Sequence, residues 1–402
     1  MTTASSSRSW TGPALLSYGF RPFFLLSGIW ACFAMVFWLM LLAGLETLPI
    51  AFAPTEWHVH SFVFGYLSAV IAGFLLTAVP NWTGRLPVVG WPLAGLVGLW
   101  VLGRMATMVG ASWPVALFAV ADLALPVTLI GFLAREIATG RNWRNLPVLG
   151  LVAFFAVANA VFHSEAAQGA AHDGYGLRMG LAAVLMLIAL IGGRIVPSFT
   201  RNFLVKRQEK RLPVAMNRAD GAVLGLTGVA LLAFAVMPNT GLTASLCMAA
   251  GGANLWRLSR WQGLKTGAEP LVWVLHAAYA MLALGFLAVA AAALDLMPVS
   301  AARHVWLAGA IGLMTLAVMT RASLGHAGLP LTAGRPVTAL YLALIGATFL
   351  RLAAGIWPGA LWPLHVSGML WVVAFGGFSI LYWPILTRAK QAPKTASRAR
   401  PA

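Results

Sequence analysis

"HVHSFVFGYLSAVIAGFLLTAVP", residues 58–80, contains no aspartate, glutamate, lysine or arginine. At about 1.5 Å of helix per residue, a run of this length crosses the roughly 30 Å of hydrocarbon in a bilayer. It also opens on two imidazoles, His58 and His60, at what would be one edge of the membrane.

The rest of the chain repeats the pattern. Of 402 residues, 60% are hydrophobic and 9% are charged, against about a quarter charged in soluble domains. The sequence predicts an all-α, polytopic membrane helix bundle of twelve spans. They lie near 22–45, 58–80, 89–110, 113–134, 146–163, 175–199, 219–237, 241–257, 270–293, 302–320, 335–356 and 361–386. The segment 1–21 is too long and polar for a signal n-region and lacks a small-residue cleavage site, so the first span is expected to be retained. Residues 22–386 then form one transmembrane domain, followed by a flexible basic tail, 387–402.

The net charge of +17 is unevenly placed. Alternate loops carry Arg85; Arg135, Arg141 and Arg144; the cluster from Arg201 to Arg218; Arg257, Arg260 and Lys265; Arg321 and Arg335; and the tail. The opposite side has only Arg104, Arg178, Arg303 and Arg351, beside Glu46, Glu56, Glu165, Asp173 and Asp295. This asymmetry predicts both termini in the cytoplasm and basic loops against anionic lipid headgroups. It speaks against nucleic acid as a partner. Cys32 and Cys247 both fall inside spans, outside any CxxC or CxxCH pattern, so thiolate zinc and covalent haem are unsupported.

Three stretches resemble one another: "VPNWTGRLPVVGWP" from Val79, "VPSFTRN" from Val196 followed by "RLPVAMNRADG", and "VMTRASLGHAGLPLTAGRP" from Val318. Pro22, Pro147 and Pro270 open the first, fifth and ninth spans, where a missing N–H goes unnoticed. The period suggests three four-helix units, about 22–140, 146–260 and 270–386.

Six of eight histidines, His58, His60, His163, His172, His304 and His365, are expected toward the outer face. His276 falls in the cytoplasmic half of span nine, and His326 just after span ten. Ionisable groups within spans usually face a bundle interior and serve function, and imidazole binds copper, iron and zinc. On a helix, His58 and His60 stand about 200° apart and would serve two different centres; in an extended segment they would share one side. The pair resembles the HxH of haem–copper oxidases, but no His-His pair follows and Tyr279 stands at the wrong offset from His276, so a terminal oxidase is not expected. His365 and Met369 share a helix face in "LHVSGML", an imidazole–thioether pair suited to Cu(I). Asp122 is the one acid deep in a span, a candidate proton or partner site. Trp57, Trp82, Trp91, Trp113, Trp357 and Trp362 read as interface belts.

Taken together, "YGFRPFFLLSGIWA" from Tyr18, "WHVH" with "AGFLLTAVPNWTGR", "GGRIVPSFTRN" from Gly192, "LHAAYAMLALGF" from Leu275 and "IGLMTLAVMTRASLGHAGLPL" from Ile311 resemble the NnrS family. The resemblance runs through most of the chain. It implies a bacterial inner-membrane protein of the nitric-oxide response that binds copper and haem, the latter non-covalent and b-type. Its ligand would be nitric oxide or nitrosylated iron. Residue by residue, it points to His58, His60, His276, His304 and His326 as cofactor-binding, with His58, His60 and His304 as the primary metal ligands. The family commonly has an acid directly after the second histidine; here that place is Ser61, which puts a proton-relay role in doubt. The alternative expectation, from twelve spans and internal repeats, is a transporter or a metal- or haem-handling carrier.

Overall fold

The structure, a computed structural model, describes residues 10–45 and 48–389. The first nine residues, Glu46 and the basic tail beyond residue 389 lie outside the described residues. No strand occurs among the described residues, and the twelve predicted helices are present. In chain order they are α1 (Phe20–Leu42), α2 (Pro54–Thr83), α3 (Trp91–Val109), α4 (Val115–Thr139), α5 (Leu146–Ala166) and α6 (residues 175–206). The second half comprises α7 (Arg218–Val236), α8 (Gly241–Ser259), α9 (Pro270–Ala293), α10 (Val299–Ala327), α11 (Arg335–Ile356) and α12 (Trp362–Thr387). Eleven are long and apolar enough to cross a membrane. The exception is α8, whose Thr243, Ser245, Asn254 and Arg257 dilute its apolar character.

Local chemistry sets the ends. Proline stands in the first turn of α2, α3, α5, α9, α11 and α12. Asn217 and Asp220 form a reciprocal capping box that starts α7. Gly84 and Gly328 take left-handed conformations to close α2 and α10. Two boundaries correct the sequence reading. Pro54 opens α2 four residues early, so His58 and His60 lie inside the helix rather than at its mouth. The last turn of α10 runs through Ala327, so His326 belongs to it rather than following it.

The most buried helices are α2, α6, α9 and α10, whose apolar windows are 78%, 67%, 67% and 78% buried, against 28% for the peripheral α11; of these, α2, α6 and α10 share one feature. They lie four helices apart in sequence, as the second helices of the expected units. Each is broken by a π-helical turn: Ser61–Tyr66, Ile188–Gly192 and Val305–Gly312. Such turns disturb the regular backbone pairing, and inside a membrane no water can compensate. Side chains do it here. The Ser61 carbonyl accepts from Trp30 Nε1 at 3.0 Å, the Gly65 carbonyl from Trp100 Nε1 at 2.9 Å, and the Ala189 carbonyl from Arg257 Nη1 at 2.9 Å.

The approach of α5 to α6 depends on Gly176, where an added Cβ would fall on the backbone of Phe162. Backbone cannot rotate away as a side chain can. Gly176→Val should therefore force the helices apart and destabilise the protein by about 1–3 kcal/mol, read as a lower midpoint in a thermal scan in detergent. An unchanged midpoint would show that this contact is loose.

Candidate metal centre

His60 on α2 and His163 on α5 point their Nε2 atoms at the same carboxylate oxygen, Asp122 Oδ2 on α4, at 2.9 and 3.0 Å. All three residues are buried, and their potential ligand atoms lie within 4.8 Å of one another. Asn159, one turn before His163, donates to Asp122 Oδ2 at 2.7 Å, and its amide oxygen lies 3.1 Å from His60 Nε2. Arg104 on α3 donates to the other oxygen, Asp122 Oδ1. Its guanidinium sits 5.5 Å from the Trp30 ring and packs on Gly65, where any Cβ would collide with it.

Aromatic rings close the site. Phe52 is 4.8 Å from the His60 ring, Phe118 is 4.6 Å from His163, and Phe162 is 5.4 Å from His60. Asp122 thus meets one guanidinium in a buried, phenylalanine-ringed pocket, with two imidazole nitrogens converging on it. The Nδ1 atoms of both histidines are buried without a hydrogen-bond partner. Two nitrogens and one oxygen at these separations match what a small transition-metal ion requires of protein ligands.

A family model described as NnrS protein matches residues 14–390. The chain belongs to the NnrS family. Neither a curated protein nor a solved structure matches it.

In this NnrS chain, the two histidines of "WHVH" serve different neighbourhoods because both lie on the helix Pro54–His60, where two residues turn about 200°. His60 enters the cluster with Asp122 and His163. His58 turns the other way, with its ring stacked on Trp38 at 4.3 Å and tilted against Phe62 at 5.0 Å. His304 stands near the start of α10, one turn after Ser300. Its Nδ1 is 2.6 Å from the Ser300 carbonyl, an acceptor, so Nδ1 carries the proton and Nε2 is left as the ligand atom. His60 thus joins Asp122 and His163, while His58 faces Trp38 on the other side of the same helix.

The remaining candidates are scattered. His276 bonds Thr200 Oγ1 at 2.7 Å toward the end where α6 finishes, far along the bundle from the start of α2. His326 stacks on Phe20 at 5.2 Å and lies 5.9 Å from the Tyr18 ring. His365 and Met369 are both exposed on α12. Ser61 is buried with no partner for its hydroxyl. Trp57, read as an interface residue, is instead fully buried against Phe37 at 4.8 Å and Trp30 at 6.4 Å. The four arginines expected on the sparsely charged side are tied down: Arg104 to Asp122, Arg178 to the Ala235 and Asp173 carbonyls, Arg303 to Asp173 and Arg351 to Ser300.

Sequence reasoning singled out Asp122 but gave it no partners, and it passed over His163, Asn159 and Arg104 as ligands or supports. The available signal was scarcity. Each is a polar residue set within an otherwise apolar helix, which is where a membrane protein keeps its functional groups.

A second buried network occupies the opposite half of the bundle. Arg257 on α8 donates from Nε to Asp220 Oδ1 at 2.9 Å, and from Nη1 to the Ala189 carbonyl and to Tyr279 Oη, each at 2.9 Å. Tyr279 in turn donates to Asn254 at 2.7 Å. Like Arg104, Arg257 lies on a glycine, here Gly193, that leaves no space for a side chain.

Proposed function

We propose that this chain is a copper- and haem-binding membrane protein of the nitric-oxide response, with His60, His163 and Asp122 holding the copper. The observation that carries the reading is the convergence of two imidazole Nε2 atoms and one carboxylate oxygen in a buried, phenylalanine-lined site. Mixed nitrogen and oxygen donors suit a divalent ion, and copper has the highest affinity in the first-row series. For haem, His304 presents Nε2 as a ligand atom, since its Nδ1 lies on the Ser300 carbonyl. The central cavity described below, about 90 Å³, is smaller than the 300 Å³ or more of typical cofactor pockets, and no histidine lines it.

When bound, copper supplies a redox-active centre able to ligate nitric oxide. The chain's own residues prepare the place. Asn159 and Asp122 fix the imidazole orientations, Arg104 holds Asp122 charged without a second anion, and the phenylalanines exclude water. Nitric oxide, small and lipid-soluble, reaches such a site without a dedicated pore.

Metal analysis and absorption spectra of the purified protein test this. One copper per chain and a Soret band are expected. His60→Ala and His163→Ala should each lower copper at least tenfold and keep the band, whereas His365→Ala and Met369→Ala should change neither. Copper unchanged in both cluster variants would remove the site. A colourless, metal-free protein would turn the reading to carriage across the membrane.

A further inference from the structure

Where α2, α6 and α10 meet, they flank a partly open apolar cavity of about 90 Å³ lined by Leu67, Val70, Leu187, Ile188, Met314 and their apolar neighbours. Among the lining residues only Thr315 has a polar side chain, and that hydroxyl is already committed. It lies 2.7 Å from the Ile311 carbonyl and 2.9 Å from that of Gly312, and it accepts from Tyr66 Oη at 2.8 Å.

We propose that this cavity is a binding site for a small apolar gas, of the class that includes nitric oxide, dioxygen and xenon. A buried water needs two to four polar partners, and apolar cavities of about 150 Å³ stay dry and take up xenon or benzene. Here the walls offer water nothing, and the volume suits one small molecule. Access has a direction. The partly exposed wall residues, Ile71, Phe74, Ile191, Ile195 and Val318, all lie toward the C-terminal ends of the three helices. Those helices are four apart in sequence and run the same way, so the mouth opens at one end of the centre. The second π turn, Ile188–Gly192, forms part of the wall, and Gly192 keeps that wall thin.

The site stands apart from the metal reading, since neither histidine nor carboxylate lines it, and either can fail alone. The test is diffraction from crystals of the full-length protein pressurised with xenon. Anomalous density is expected between Leu67, Leu187 and Met314, at least tenfold weaker in Val70→Phe, which fills the space. Gly192→Ala serves if that variant does not fold. Its added Cβ meets nothing closer than 3.6 Å, at Met314 Cε and Tyr279 Cδ2, and should lower occupancy several-fold. No density in the native cavity, ordered water or a lipid chain there, or occupancy unchanged by the variants would overturn the proposal.

Discussion

Asp122→Ala is expected to destabilise the protein by about 3–5 kcal/mol, the usual effect of breaking a buried pair from one side. The carboxylate accepts from Arg104, His60, His163 and Asn159 at once. Without it, a guanidinium buried beneath Trp30 loses its counter-charge, and its Nε and Nη1 already lack partners. A fluorescence-detected size-exclusion profile after heating would show an earlier collapse of the monodisperse peak. The paired change Asp122→Leu with Arg104→Met should recover much of the loss, because it removes both charges together. It should still fail to hold copper. Recovery of stability without recovery of metal separates the structural role of Asp122 from its role as a ligand, and a single variant as stable as the native chain would refute the first.

Arg257→Ala should produce the second largest effect, also about 3 kcal/mol or more, by a different route. This side chain joins Asp220 on α7, the Ala189 carbonyl in the π turn of α6, and Tyr279 on α9. Its removal strands an anion and a backbone carbonyl at once. Arg260, 3.3 Å from Asp220 Oδ2, partly compensates the anion but not the carbonyl. Arg257→Lys should restore the charge while missing at least one of the three partners, so its thermal midpoint should fall between those of the native and alanine forms. A lysine variant equal to the native protein would mean that charge alone matters.

The fold was legible because membrane spans declare themselves through length and lack of charge. The split between His58 and His60 was left open between a helix and an extended segment, and the helix Pro54–His60 decides it. The cluster itself was hidden. Asp122 is 62 residues from His60 and 41 from His163, and nothing in an apolar periodicity says that α2, α4 and α5 share a seam. An outer-face grouping of histidines placed His365 with the others, but helix ends at one membrane surface include those facing lipid. Trp57 misled in the opposite sense. Tryptophans favour interfaces, yet the early start of α2 at Pro54 folds this one beneath α1. The π turns left no mark in composition at all, because they reflect how neighbours pair with freed carbonyls.

Those three turns make each core helix two rods joined by a swivel. Winding one more residue into a turn rotates everything beyond it by about 100°. In α2, the half bearing His58 and His60 and the half bearing Val70 and Phe74 are thus phased independently. Deleting a single residue between Ser61 and Tyr66 would restore continuous α winding and swing one half against the other. Both imidazoles would then leave their partners while every residue named in the cluster stayed in the sequence.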